Sequence, residues 1–379
     1  MSRNTPRIGY VPYSRTLEKP GDRRRFVAYA QARNLHFELA NPDERYDLVV
    51  LSETADISVW RDYAHGKVVY DFIDSYLAIP RTNIRQWLRG PVWYALGRHR
   101  HFCLDHWATM EDMCRRADAV VCSTEEQRED IQHYCPNVHI VLDAHSSVVH
   151  EVKEDYRCRE PFNLLWEGLA SNLPQLKQIR DVLREIHKRR PLVLNLVTDL
   201  DQPRLLGRFG RVKSLDLAHE IFDCVRLHSW NEATCAGIIS RCDLGIIPID
   251  LSDPLVTGKP ENKLLLLWRM GMPVVVSATP AYQRAMRAVD MPALACRNQP
   301  EWLAALEKMM SDASLRREAG VRGRIFAEKH YSRESITEGW DAVFKSVGFY
   351  FQENGLPHTD DSSSSLSDLI PAKSANFTM

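Results

Sequence analysis

The 379-residue sequence has no excess of either charge, no long apolar run and no paired cysteine motif. With 49 basic against 50 acidic residues, it lacks the strongly basic surface of a general nucleic-acid or polyanion binder. No stretch approaches the roughly 18–20 apolar residues of a membrane-spanning helix. The opening MSRNTPRIGYVPYSR has no apolar core of signal-peptide length, so a cytoplasmic chain is expected. Nine cysteines, an odd number without a CxxC pair, fit reduced thiols better than a disulfide framework. GxSxG, HExxH, GxGxxG and the Walker loop are also missing. The nearest approach, GRFGR at Gly207, has the wrong spacing and follows no clear strand. Dehydrogenase and NTPase readings are weak on this ground.

What is present is alternation. The length suits two domains, each able to bury a core. RIGYVPY, HFELA, YDLVVLS, KVVYDFI, ADAVVCS and HIVLDA are short apolar runs bounded by turn residues and interleaved with helical stretches such as RRRFVAYAQARN. A second series, FNLLWEG, LVLNLVTD, CVRLHSW, DLGIIPI and PVVVS, follows the polar HEVKEDYRCREPF. Apolar strands between helices read as parallel sheets covered on both faces. The expectation is an α/β protein of two Rossmann-like, doubly wound domains facing across a cleft, residues 1–150 and 151–332. Residues 351–379, rich in Ser, Asp and Pro, read as a disordered tail.

The stretch TGKPENKLLLLWRMGMPVVVSATPAY joins a charged head to a helix, a Gly-Met-Pro break and a strand. Pro260 fits a first helical turn, and Gly271 with Pro273 a stop. Lys259, Glu261, Asn262 and Lys263 then sit at or just inside a helix N-terminus, where backbone N–H groups and the dipole favour an anion. The preceding strand DLGIIPI would deliver this loop to the carboxyl edge of the sheet, where a nucleotide diphosphate should dock.

CDLGIIPIDLSDPLVTGKPENKLLLLWRMGMPVVVSATPAY resembles the donor-binding core of GT-B glycosyltransferases, especially the family 4 type of bacterial surface-glycan pathways. The matching residues are Asp243, Pro248, Gly271, Pro273, Val274, Val275 and Ser277. NLLWEG with Gly168 is similar to the strand and glycine that open that domain. FAEKHYSRESITEGWDAVF resembles its closing helices, the last of which, 333–350 here, crosses back to the first domain. The resemblance covers residues 160–348; the N-terminal half agrees in architecture only. It implies a hexosyltransferase-like enzyme moving a sugar from a nucleotide-activated donor to a glycan, lipid-linked or protein acceptor. The pathway implied is lipopolysaccharide, capsule, exopolysaccharide or glycoconjugate synthesis, with no metal and no other cofactor. The family often keeps two glutamates eight positions apart in this unit. Aligned on Gly271, those positions are Gly258 and Leu266, and Glu261 stands nearby. Where the family often has an arginine after the first glycine, this chain has Leu169, with Asn172 and Lys177 the nearest polar groups. The diphosphate grip would then rest on Lys259 and Lys263. Two alternatives stay open: a non-catalytic nucleotide-sugar-binding or scaffold protein on this fold, and a GT-B sugar epimerase.

Other candidates each have a plain structural reading. In PGDRRRF, Gly21 permits a turn, Asp22 suits an N-cap and Arg23 offers a cation for an acceptor or phosphate; capping with solvated arginines is the alternative. In VVYDFIDSYL, Asp71 and Asp74 end a strand, where a carboxylate can act as a general base or merely cap a loop. Trp230, after CVRLHS, either stacks on a nucleobase or packs in the core, and Asn231 suits an N-cap. His99, His101, Cys103 and His106 are zinc-ligand types, but their spacing matches no metal motif. Residues 81–102 hold five arginines, no acid, and Trp87, Trp93, Tyr94 and Phe102. Such a segment either lies peripherally on the inner face of a membrane or forms helices with tryptophans inward and arginines in water.

Overall fold

The computed structural model of the chain describes residues 6–145, 147–158, 160–203 and 210–351, without the side chain of residue 85. The GRFGR stretch at Gly207 and the tail beyond 351 lie outside the described residues in whole or in part. The chain divides into two compact units, one built from residues up to 144 with those from 334 onward, the other from 145–333. The division falls at 144 rather than 150. No described helix is long and apolar enough to cross a membrane.

The first unit is a six-stranded sheet of β1 (Ile8–Val11), β2 (Glu38–Leu39), β3 (Leu48–Ser52), β4 (Lys67–Asp71), β5 (Ala119–Cys122) and β6 (Val138–Ile140). Its order is β2-β1-β3-β4-β5-β6, every pair parallel. The run LVVLS of β3 is buried at every position, as a strand covered on both faces requires. The helix Arg333–Ser346 packs Trp340 and Phe344 onto Phe26 and Tyr29 in this unit's core. Tyr29 Oη donates to Asp341 at 2.7 Å, which fastens that helix at its polar edge.

The second sheet contains β7 (Phe162–Glu167), β8 (Leu192–Thr198), β11 (Val225–Ser229), β12 (Leu244–Ile247), β13 (Val274–Ser277) and β14 (Ala295–Cys296). The antiparallel ribbon β9 (Asp201–Pro203) and β10 (Arg211–Lys213) stands apart from it. The order β11-β8-β7-β12-β13-β14 is the 3-2-1-4-5-6 order of dinucleotide-binding folds, counted within the unit. The strand order therefore reverses between β7 and β12. Loops leaving those two strands diverge at their carboxyl ends and leave a crevice for a ligand.

One buried ion pair closes the carboxyl edge of the first sheet. Arg25, only 1% exposed, grips Asp71 at the end of β4 through Nε at 2.7 Å and Nη2 at 2.6 Å. Its Nη1 donates to the Val141 carbonyl at 2.9 Å and to Asp143 at 3.1 Å, just beyond β6. Removing one partner leaves a buried charge unpaired. Arg25→Ala is expected to cost about 3–5 kcal/mol in urea denaturation; a loss below about 1 kcal/mol would show that the pair is dispensable.

Candidate functional site

At the switch point of the second sheet, hydrogen bonds hold the loop after β12. Ser277 Oγ, at the end of β13, accepts from Ile249 N at 2.8 Å and donates to Ile249 O at 3.0 Å. Gln175, in the 3₁₀ helix Ala170–Ile179 that follows β7, accepts from Asp250 N at 2.7 Å. Asp253 then caps the short helix Pro254–Thr257. The next helix is Asn262–Arg269, which starts two residues after Pro260 rather than including it in its first turn. Leu264 to Leu267 are buried and set this helix on the sheet, while no side chain caps its N-terminus.

That seating aims Lys263 back across the switch point. A Cβ built on Gly168, the residue after β7, would stand 2.6 Å from Lys263 Nζ. The ammonium lies 5.2 Å from the centroid of the Trp166 ring and has no hydrogen bond or ion pair among the described residues. Burial lowers the Lys263 pKa, Lys259 pushes the same way, and Glu167 at the end of β7 opposes them. The Lys259 ammonium likewise has no hydrogen-bonded acceptor among the described residues. Neither ammonium thus has a hydrogen-bonded acceptor among the described residues, and the charges of Glu167 and Lys259 act on Lys263 in opposite directions. Two buried hydroxyls of this unit also lack partners: Thr198 Oγ1, at the end of β8, and Thr257 Oγ1, at the end of the helix Pro254–Thr257.

The remaining expected donor residues are dispersed around this point. Asn172 sits in the 3₁₀ helix after Gly168, half-buried, with no side-chain partner among the described residues. Trp230 follows β11, two strands from β7, and is half-buried rather than a core residue. Asn231 caps a turn by accepting from Ala233 N, and the helix itself begins only at Cys235. Glu261 is buried, and its carboxylate faces Tyr331 and Tyr282. Burial, then the Glu261 charge, pushes the Tyr331 hydroxyl up to about 12. Leu266 is 1% exposed in the core and Gly258 ends the short helix, so neither aligned position offers a carboxylate. Glu167, Gln175 and the two threonines were missed. The strand-end positions of Glu167 and Thr198 were the available signal.

In the first unit, three expectations change. Each Asp71 oxygen accepts from Arg25, and the carboxylate is 2% exposed, which makes it the buried counter-ion of Arg25. Burial raises its carboxyl while Arg25 opposes that shift. Asp22 is not an N-cap: the helix Pro20–Arg23 starts after Lys19. Fully buried, Asp22 instead accepts from Tyr10 Oη at 2.8 Å, Tyr13 N at 2.8 Å and Ser14 N at 3.0 Å, which shapes the loop after β1. Gly21 has no room for a side chain, since a Cβ would meet the Tyr13 ring at 2.6 Å. Arg23 turns back to donate to the Glu18 carbonyl at 3.0 Å.

Asp74 has a different neighbour. Its N–H donates at 3.0 Å to Glu53, the residue after β3. Burial, and next the Asp74 charge, raises the Glu53 carboxyl well above its ordinary value. A half-buried carboxyl pair thus stands at the carboxyl edge of this sheet, and Tyr13 Oη, buried without a partner, feels the Glu53 charge. His99 and His106 stack at 5.6 Å beside Trp93, and burial lowers both, His106 to about 3. Among the described residues no three His, Cys, Asp or Glu side chains gather to hold a metal ion.

No family model matches the chain, and no curated protein does. Solved structures do. A glycosyltransferase from Rickettsia africae ESF-5 aligns with TM-score 0.57 at 9% identity over 90% of this chain and 98% of that one. TarM aligns with TM-score 0.55 at 10% identity over 80% of this chain, which spans 55% of TarM. Sucrose-phosphate synthase from Thermosynechococcus elongatus aligns with TM-score 0.53 at 13% identity, covering 80% of this chain and 74% of that one. At these identities the likeness concerns the fold, two parallel α/β units of the GT-B class.

Two tests follow from this geometry. At φ 158° and with Lys263 Nζ in the way, Gly168→Ala should cost about 1–3 kcal/mol and displace the ammonium; unaltered melting would show that the space exists. For Glu53, the folded state keeps a proton that the unfolded chain loses near 4.5. Stability therefore falls as pH rises from there through the raised value. Glu53→Gln should match the parent below about pH 4 and exceed it at about pH 8 in urea midpoints. Equal pH dependence of the two proteins would refute the assignment.

Proposed function

We propose that the chain is a GT-B glycosyltransferase that takes a sugar from a nucleotide-activated donor bound by its second unit. The observation that carries this is Lys263, desolvated and without an anion, set against Gly168 at the sheet's switch point. Charge grows on the leaving diphosphate as the glycosidic bond breaks. Lys263, Lys259 and the uncapped start of Asn262–Arg269 are placed to stabilise it. The reading assigns that role to the protein's own groups and invokes no metal or cofactor. Asn172 and Trp230 are the candidates for the sugar and the base. For the acceptor, a glycan, lipid-linked or protein hydroxyl, this reading assigns proton acceptance to the Glu53–Asp74 pair, in which burial and then the Asp74 charge raise the affinity of Glu53 for a proton. The family 4 resemblance of residues 160–348 and its surface-glycan setting belong to this proposal. A complex of S. aureus TarM with UDP and alpha-GlcNAc-glycerol shows a protein of similar fold holding such ligands.

A second reading has its own observation. With Leu266 in the core and Gly258 lacking a side chain, the ribose contact of the resembled family has no counterpart, which favours a binding or scaffold protein. Epimerisation would show itself in the released sugar. A thermal-shift screen with UDP-, GDP-, dTDP-, ADP- and CMP-sugars identifies the donor, since a ligand of the folded state raises the melting temperature. Against that donor, Lys263→Ala and Lys259→Ala should each weaken calorimetric affinity by about 10–100-fold, the worth of a charge-assisted hydrogen bond. Unchanged affinity in both variants would sink the proposed site. Tight binding without nucleotide release, with acceptor extracts present, would select the scaffold.

A further inference from the structure

Among the described residues, seven of the fourteen exposed large hydrophobics fall between residues 84 and 104, among them Ile84, Leu88, Val92, Tyr94, Phe102 and Leu104. Ile84, Leu88 and Val92 recur every four residues along the helices Ile84–Trp87 and Arg89–Ala95, so they share one face. They are 72%, 56% and 44% exposed. This outward face is not loose chain. Trp87 Nε1 donates to the Arg81 carbonyl at 2.7 Å, and its ring meets buried Trp107 at 5.7 Å. Trp93 packs on His99 and His106, and Tyr94 is braced by Phe102 at 5.6 Å. A held backbone thus presents these aliphatic residues to solvent.

In sequence, the segment 81–102 holds five arginines and no acid. Arg81 is paired with Glu111 and Asp105, and Arg100 lies near Asp43. Arg89 stacks over Tyr76 at 4.1 Å and Trp93 at 4.3 Å, and Arg98 lies over Trp93 at 5.9 Å. Neither Arg89 nor Arg98 has an acidic partner among the described residues. A second copy docking on the same patch about a twofold axis would set arginine against arginine. A lipid leaflet has the complementary chemistry, an apolar layer under anionic headgroups.

We propose that this face of the first unit docks on an anionic membrane surface. Ile84, Leu88, Val92, Phe102 and Leu104 enter among the headgroups, and Arg89 and Arg98 meet their phosphates. The inference does not depend on glycosyl transfer. The full chain should co-sediment with phosphatidylcholine vesicles containing about one-third phosphatidylglycerol, more weakly with phosphatidylcholine alone, and less as salt rises. The pair Ile84→Ser with Leu88→Ser should weaken this binding at least about tenfold, and Arg98→Glu should weaken it on the anionic vesicles only. Unchanged melting temperatures show that the variants fold. Absence of binding to anionic vesicles at low salt overturns the proposal, as does binding that the variants leave intact. A dimer of the parent chain that the serine pair dissociates would also overturn it, giving the face to a second copy.

Discussion

In a parallel sheet buried on both faces, backbone polarity is satisfied along the strands, and side-chain charge gathers at their ends. Every strand in each sheet points the same way, so each unit has one carboxyl edge, where a ligand of such a fold docks. Glu53, Asp71 and Asp74 stand at that edge of the first sheet, and Glu167, Thr198 and Ser277 at that edge of the second. Strands such as Leu48–Ser52 and Val274–Ser277 are buried throughout.

The two edges treat their charge in opposite ways. At Asp71 a buried carboxylate meets a buried guanidinium with both forks engaged, and the spare donor of Arg25 is taken by Val141 and Asp143. The pair ties strand ends to the chain just before the helix Phe26–Ala32. At Lys263 the desolvation is present but the counter-ion is not: Glu167 acts on it only through its field, and Lys259 makes the position worse. A buried cation left short of partners is a cost to the folded state. Its persistence is understandable where binding of an anion recovers that cost.

The fold class was legible because it depends on repetition. Short apolar runs separated by helices recur twice, and both parallel sheets emerge from them. The Pro-Val-Val-Val-Ser strand and the leucine-rich helix before it were legible for the same reason, since their burial follows from composition. The individual site residues were less so. Asp22, Asp71 and Arg25 look alike in a linear string, acids and bases beside strand ends, and only long-range geometry separates them. Arg25 meets Asp71 across 46 positions and Val141 across 116. Glu53 escaped notice because nothing local marks it; its partner Asp74 lies 21 positions away.

The segment 81–102 shows the same limit from the other side. Its composition admitted two orientations, because tryptophan, leucine and arginine can each line a core or a surface. What decides is which groups the neighbouring helix His106–Arg116 accepts. Trp107 at its start takes Trp87 at ring contact, and His106 takes Trp93. Trp87 stays 40% exposed even so, and the aliphatic residues at 84, 88 and 92 face outward, with Arg89 and Arg98 stacked on Trp93 nearby.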